Sequence, residues 1–296
     1  MQLLLLIALI LLGFLLARKK ALTPKRIEWA NKWIIYVAAP AIALVNVPLI
    51  QLSTNILGPV IAPVIVFAGS ALMFYVGLKS ILNSEEKLVL TLLGGMGNTS
   101  FLGFPIILAY YGSSYMPYAV IFDQLTFLLL VTVAQSLLIS KSGNVSIKTT
   151  FIKIITFPPF MALIFAILIP KDFFGSFMHT ILDYLGRTLS PVAMLIVGYQ
   201  IARFVDFKFT KALFYGLGYK LIIAPFLVGL SLYFFNMDAP IIKTSIMEAS
   251  MAPMVTMAIL ISDSKILPRL TAQLLTWGIV FSFPITLLWY LILQYL

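Results

Sequence analysis

Ionisable side chains stand inside long apolar runs of this sequence at Asp123, Lys220 and Glu248. A charged side chain at the centre of a bilayer is costly, and it usually marks the path of an ion or a substrate. We expect Glu248 to bind a coupling proton or sodium ion together with Asn98 and Thr99. The alternative is a protonated structural carboxyl that is hydrogen-bonded to a neighbour.

Asp123 and Gln124 lie about two turns into their apolar run. Lys220, in a later run, is the available positive partner for Asp123, and such a pair either holds two helices together or takes part in gating. Asp183 and Arg187 are four residues apart, which places them on one helix face as a structural ion pair. The predicted ion-coupling residues are Glu248, Asn98, Asp123, Gln124 and Lys220.

Two segments with proline predict broken helices. Residues 94–105 combine four glycines, an Asn-Thr-Ser cluster and Pro105, and residues 248–254 place Glu248 about one turn before Pro253. Proline removes a helical N–H and clashes with the preceding turn. The freed backbone groups are tolerated at membrane depth only inside protein or beside a polar cavity. The alternative for the first segment is a simple kink, with glycines that allow close helix packing.

The ends of a broken helix attract ions and substrates, so polar groups around the breaks are candidate ligands. The predicted substrate-binding residues are Asn98, Thr99, Ser100, Pro105, Ser250, Met251, Pro253, Asn46 and Gln200. Asn46 and Gln200 lie in other runs, where such residues more often form helix–helix hydrogen bonds. With no cysteine and one histidine, the chain offers no catalytic nucleophile–base set or metal cluster, which argues against a membrane-embedded enzyme.

The elements that position these residues must be membrane-spanning helices. Hydrophobic residues make up 61% of the 296 residues and charged residues only 10%, whereas about a quarter of a soluble domain is charged. A span takes roughly 20 mostly apolar residues. The sequence therefore predicts an all-α polytopic protein with ten spans, at about 2–17, 27–50, 56–78, 87–111, 116–139, 150–169, 177–201, 210–235, 241–261 and 271–294.

Most of the 20 lysines and arginines lie in the loops between spans, and almost all of these residues are in the odd-numbered loops. By the positive-inside rule these loops lie inside the cell and both termini outside. The net charge of +10 thus sets topology and does not indicate nucleic acid. With five spans each, residues 1–140 and 141–296 form repeats of inverted orientation, a common arrangement in secondary transporters.

Residues 97–105, which read Gly-Asn-Thr-Ser-Phe-Leu-Gly-Phe-Pro, resemble the fourth helix of the auxin efflux carrier family, which includes the plant PIN proteins. Residues 247–253 resemble the ninth helix of its prokaryotic members, and residues 122–124 the fifth helix. The resemblance implies a fold like that of bile-acid sodium symporters, with broken helices 4 and 9 crossing near Pro105 and Pro253. It also implies a scaffold from spans 1, 2, 6 and 7 (about 2–50 and 150–201) and a transport domain from spans 3–5 and 8–10 (about 56–139 and 210–294).

The same resemblance implies small organic anions as substrates, which are auxin in plants and dicarboxylates such as malonate for bacterial members. Sodium-coupled relatives carry a glutamate in the helix of Glu248, so coupling to sodium or protons is expected. The predicted function is a secondary transporter that moves a small carboxylate across the cytoplasmic membrane by alternating access, as a homodimer and without other cofactors. The alternatives are a bile-acid-type sodium symporter of an amphipathic acid and a channel.

Overall fold

The fold is known here from a computed structural model. It describes residues 2–49, 56–134, 136–137, 152, 155–170, 173–204 and 209–295. The predicted boundary between the two repeats, at residues 140–146, lies outside these ranges. So do several of the positive residues that predict the topology, namely Lys141, Lys148, Lys153, Lys171 and Lys208.

Helices make up nearly all of the described chain. They are α1 (Gln2–Arg18), α2 (Pro24–Leu49), α3 (Leu57–Gly77), α4 (Ser84–Gly95), α5 (Thr99–Tyr110), α6 (Ser113–Ala134), α7 (Pro158–Leu168), α8 (Ser176–Arg203), α9 (Lys211–Phe234), α10 (Ala239–Ala249), α11 (Val255–Asp263) and α12 (Pro268–Leu293). Among them, α2, α3, α6, α8, α9 and α12 are long and apolar enough to cross a membrane. The prediction of an all-helical, multi-pass membrane protein is confirmed.

Side-chain caps fix where three of the helices begin. The hydroxyl of Thr23 accepts a hydrogen bond from the Arg26 amide at the start of α2 (3.3 Å), and Thr210 caps α9 in the same way through the Leu213 amide (3.1 Å). At α4, Asn83 forms a reciprocal capping box with Glu86. These caps satisfy amide groups that the first helical turn leaves without partners. They therefore fix the register of the helices that lead to the first break and to Lys220.

Wide turns precede prolines in α2, α5 and α9. The turns span Ile34–Ala38, Thr99–Gly103 and Tyr219–Ile223, and each ends two residues before Pro40, Pro105 or Pro225 respectively. A turn with i→i+5 bonding makes room for the proline ring and for its missing N–H. Pro105 therefore lies within α5, and the break itself lies upstream of it. The expectation that helix 4 crosses its partner near Pro105 is wrong in this detail.

Close backbone contact joins α1 to α8. A side chain at Gly198 would collide with the backbone of α1 at Ile10, and one at Gly13 would collide with the backbone of Leu195. α2 packs against α7 and α8, whereas α3 packs against α4, α6, α9 and α10. Several candidate residues, such as Asn98 and Asp123, lie in a cavity where helices of these two sets face each other.

Candidate functional site

The two breaks meet as a pair of crossed, extended segments. Gly97, between α4 and α5, forms an isolated antiparallel bridge with Pro253, between α10 and α11. The Asn98 amide donates to the carbonyl of Ala252 (2.8 Å), and the Met254 amide donates to the carbonyl of Met96 (3.0 Å). Helix ends leave backbone groups without partners, and each such group costs several kcal/mol in lipid. Each break thus supplies a hydrogen-bond partner for a backbone amide of the other, and the prediction that the helices break at these two places is confirmed.

Asp123, on α6, binds the first turn of α5. The hydroxyls of Thr99 and Ser100 both donate to its Oδ1, and the side-chain amide of Gln124 donates to its Oδ2 at 3.0 Å. The predicted partner of Asp123 was Lys220, but the two side chains form no ion pair in the part of the chain that the structure describes. Hydroxyl and amide donors take that place, and they tie α6 to the break.

Glu248 is fully buried in the last turn of α10, and neither of its carboxyl oxygens has a hydrogen-bond partner among the described residues. The carboxyl fills the space beside Gly103, where any side chain would overlap it. Buried polar groups almost always have partners, and those without one need an explanation. This carboxyl is therefore a candidate site for a proton or a cation.

Lys220 is buried on α9, and its amine reaches the crossing at Gly97. A Cβ at Gly97 would lie 3.1 Å from its Nζ and 3.3 Å from the carbonyl oxygen of Glu248. Lys220 and Glu248 lie close enough for an electrostatic interaction, although the described side chains make no direct ion pair. The buried amine of Lys220 and the carboxyls of Glu248 and Asp123 thus all lie near the crossing.

A central cavity of about 120 Å³ adjoins the crossing. Its polar lining comes from the first break, from α6 and from the start of α11, through Asn98, Thr99, Ser100, Asp123 and Thr256. Asn98 is buried, and its side-chain Nδ2 has no hydrogen-bond partner among the described residues. Asn98 thus places a buried side-chain donor, without a partner among the described residues, in the wall of the cavity.

The rest of the central cavity is apolar. Its wall includes Ile35 and Phe101, together with Phe127 and Phe157, whose rings stack with centroids 3.6 Å apart. Sequence analysis did not select these residues, because aromatic residues in apolar helices usually pack against lipid or neighbouring helices. Only the fold shows that helices far apart in sequence bring them to one wall.

Two further cavities lie between the helix sets, and we name them by the predicted topology. The inner vestibule measures about 390 Å³, and it is lined by Glu28, Asn31, Tyr199, Gln200, Arg203 and Asp263. The outer crevice measures about 60 Å³, and it is lined by Asn46, Leu108, Ser113, Met116, Asp183 and Arg187.

The predicted substrate ligands thus separate into groups. Asn98, Thr99 and Ser100 line the central cavity, whereas Gln200 lines the inner vestibule and Asn46 the outer crevice. Asn46 donates to the carbonyl of Ile42 one turn earlier on its own helix (2.8 Å). The remaining predicted ligands are buried by the crossing or by α5 and do not line the central cavity: Pro105, Ser250, Met251 and Pro253.

The structural ion pair is formed as predicted, with Arg187 Nη2 2.7 Å from Asp183 Oδ2. Both residues line the outer crevice. The pair therefore lies on the surface of α8 that faces the other helix set, where the fold leaves room for polar groups.

Comparison with known proteins matches nearly the whole chain to a protein family and to a relative. The model of the family described as "Membrane transport protein" matches residues 1–290. A protein named "Uncharacterized transporter" from Methanothermobacter thermautotrophicus is 24% identical over 296 aligned residues, which cover 97% of this chain and 96% of that protein.

Proposed function

Because this chain belongs to the Membrane transport protein family, which is that of the auxin efflux carriers, we propose that it is a secondary carrier of a small organic anion. The chain is a transport protein and not an enzyme. The proposed substrate carries a carboxylate, and the proposed mechanism is alternating access across the cytoplasmic membrane.

The observation that carries this proposal is that Asn98 lines the central cavity and that its buried Nδ2 donor has no partner among the described residues. Asn98 immediately precedes α5, whose N-terminal end has a positive partial charge. A carboxylate in the cavity would accept a hydrogen bond from Asn98 and would be stabilised by this helix end. Thr99 and Ser100 already donate to Asp123, so they support the site and do not supply its unused donor.

The proposed architecture has ten spans in two inverted five-helix repeats, in which α4–α5 and α10–α11 are the broken fourth and ninth spans. The contacts of α1 with α8, and of α2 with α7 and α8, support a scaffold made of spans 1, 2, 6 and 7. The contacts of α3 with α4, α6, α9 and α10 support a transport domain made of spans 3–5 and 8–10. We further propose a homodimer through the scaffold, with both termini outside the cell.

Coupling to sodium or protons is proposed to involve Glu248. A buried carboxylate without donors is unfavourable until it is protonated or paired with a cation. Lys220 and Asp123 lie close enough to influence that choice, and Gln124 would act through its hydrogen bond to Asp123. Binding of a cation at Glu248 would thus favour one position of the transport domain relative to the scaffold over the other.

The apolar wall of the central cavity favours a second candidate substrate class. Phe101, Phe127 and Phe157 would contact the body of an amphipathic acid, as in a bile-acid-type sodium symporter. A short dicarboxylate such as malonate would leave that wall uncovered. The size of the acid is therefore the variable that separates the two candidates.

A thermal-shift screen of organic acids, with and without sodium, tests the proposed function. Stabilisation follows the ratio of ligand concentration to its dissociation constant, so weak ligands also register. The panel should run from malonate to aromatic and longer aliphatic monocarboxylates. A shift with an acid, absent with its neutral amide, supports a carboxylate carrier, and no shift with any acid argues against it.

Asn98→Ala provides the site-specific test. The loss of a hydrogen bond to a charged ligand should weaken binding of the acid by about tenfold or more. Asn46→Ala is the matched control, because the same change outside the central cavity removes only a local bond to Ile42. Equal loss of binding in the two variants would contradict the proposed role of Asn98.

A further inference from the structure

The connection between α1 and α2 carries the densest group of positive charge in the sequence. Within residues 18–26, which we call the basic turn, five side chains are positive and none is acidic: Arg18, Lys19, Lys20, Lys25 and Arg26. All five are exposed, and none forms an ion pair among the described residues. Glu28 is the nearest acid in the sequence, and Lys32 offsets its charge at 2.6 Å. The basic turn therefore presents a concentrated positive surface.

The exposed faces of α1 and α2 place the basic turn at the membrane surface. On α1 the exposed residues are apolar up to Leu15, and they become basic at Arg18, about one turn later. On α2 the exposed Lys25 is followed on the same face by Trp29 and Trp33, which are also exposed. Tryptophan concentrates at the level of the lipid headgroups. Both helices thus change from apolar to basic as they approach the turn, which places the turn among the headgroups.

Lys20 carries a positive charge at a position where the backbone favours glycine. Its φ is +57°. The Lys20 amide donates to the carbonyl of Ala17 (3.0 Å), and the Ala21 amide donates to the carbonyl of Leu16 (2.8 Å). This pair of bonds is a common helix end, in which the left-handed residue is usually glycine because a side chain is strained there. The folded chain thus carries the charge of Lys20 in spite of a less favourable backbone, which indicates a role for that charge.

Arg26 is held in place across the basic turn. Its Nη1 donates to the carbonyl of Ala21 (2.6 Å), and its amide donates to the capping hydroxyl of Thr23. The guanidinium has further N–H groups in a planar fork, which suits the oxygens of a phosphate. The basic turn therefore combines an oriented guanidinium with flexible lysine side chains around it.

We propose that the basic turn binds the phosphate headgroups of anionic phospholipids in the leaflet that it faces, which is the inner one by the predicted topology. Clusters of about four to eight lysines and arginines beside a spanning helix attract anionic lipid, and the contributions of the residues add. A zwitterionic headgroup also has a phosphate, but its own ammonium group cancels the charge. Pro24 and Ile27 line the inner vestibule, so the bound lipid lies near the mouth of that cavity. This inference holds whichever solute the protein carries.

Native mass spectrometry of the purified chain in an uncharged detergent measures the binding directly. The probes are phosphatidylglycerol and phosphatidylcholine with the same acyl chains. The wild-type chain should bind phosphatidylglycerol more tightly. The combined change Lys19→Gln, Lys20→Gln and Lys25→Gln should weaken that binding about tenfold or more and leave the binding of phosphatidylcholine unchanged. Unchanged binding of phosphatidylglycerol by this triple variant overturns the site.

A matched control removes the same charge from other loops on the predicted inner side, through Lys79→Gln, Lys87→Gln and Lys211→Gln. This variant should bind phosphatidylglycerol like the wild-type chain, because the basic turn is intact. If it loses as much affinity as the first triple variant, binding follows the net charge of the protein and the site is overturned. Glycerophosphoglycerol, which is the headgroup without acyl chains, should not compete at about tenfold excess, since the lipid is concentrated in the same micelle. Competition at that level would assign the basic turn to a free anion and not to a lipid.

Lys20→Gly separates the charge from the fold. Glycine suits the left-handed backbone, so the apparent Tm should be equal to that of the wild-type chain or higher. The affinity for phosphatidylglycerol should nevertheless fall about threefold or more, because one of the five charges is lost. A stable Lys20→Gly variant with full affinity for phosphatidylglycerol would contradict the role of Lys20 in the site.

Discussion

At the scale of single residues, the two buried carboxyls near the crossing differ in the number of hydrogen bonds that they receive. Asp123 receives donors from Thr99, Ser100 and Gln124, whereas Glu248 receives none among the described residues. An ionised carboxylate without donors or a bound cation is strongly disfavoured in a protein interior. Of the two acids at the crossing, Glu248 is thus the one that a proton or a cation would change most.

Glu248→Gln should separate transport from coupling. The amide keeps the shape of the side chain but cannot bind a proton or pair with a cation, so exchange of labelled for unlabelled acid should continue in proteoliposomes. Accumulation against a gradient should be lost, together with its dependence on sodium and pH. Glu28→Gln is the control, because Glu28 is an exposed partner of Lys32 on the rim. Accumulation by Glu248→Gln that still responds to sodium or pH would refute this role.

Gly103 provides a second test at this scale. A methyl group at this position would overlap the Glu248 carboxyl, and overpacking of a buried site typically costs about 1–3 kcal/mol. Gly103→Ala should therefore lower the apparent Tm in detergent, whereas Gly77→Ala should not, since nothing lies within 4 Å of a Cβ there. Adding Glu248→Ala to Gly103→Ala should restore part of the loss. If the double variant is no more stable than Gly103→Ala, the carboxyl does not occupy that space.

Sequence reasoning selected candidate residues that the structure brings together, but it did not find their partners. Asp123, Glu248 and Lys220 stand out because charge is rare in apolar runs, and all three are buried at the crossing. The pairing of Asp123 with hydroxyls from the first turn of α5 could not be derived, because it depends on how α6 packs beside the break. Likewise, only the packing decides that Gln200 faces a vestibule and Asn46 a crevice.

At the scale of elements, the breaks could be predicted because glycine and proline act through the local backbone. The positions of the breaks could be predicted less well. Pro105 follows a wide turn within α5, and the chain becomes extended at Gly97, where glycine lets the buried Lys220 approach. A proline therefore indicated a discontinuity in its span, whereas the exact break depends on a tertiary contact that sequence does not reveal.

The contact of α1 with α8 yields a prediction about the proposed scaffold. Alanine is favoured over glycine inside a helix by about 1 kcal/mol, so Gly218→Ala, with open space around its Cβ, should be neutral or stabilising. Gly198→Ala should instead lower the apparent Tm, because its Cβ would collide with the backbone of α1. Equal Tm values for the two variants would show that α1 and α8 do not approach so closely.

At the scale of the whole molecule, the cavities indicate which way the site is open. The inner vestibule measures about 390 Å³ and shares Phe101 and Thr256 with the central cavity, whereas the outer crevice measures about 60 Å³ and shares no lining residue with it. With the proposed topology, this arrangement corresponds to an inward-open carrier. A shift of the transport domain along the scaffold would then close the vestibule and widen the crevice.

Alternating access predicts that the two sides of this route are never open together. Thr256→Cys in the inner vestibule and Asn46→Cys in the outer crevice can each be labelled separately in a chain without native cysteine. With membrane-impermeant maleimides applied from the appropriate side, Thr256→Cys should react quickly and Asn46→Cys slowly. Changes in sodium, pH or transported acid should alter the two rates in opposite directions, because one movement closes one side as it opens the other. A channel, whose two mouths can be open at once, would instead show rates that rise and fall together.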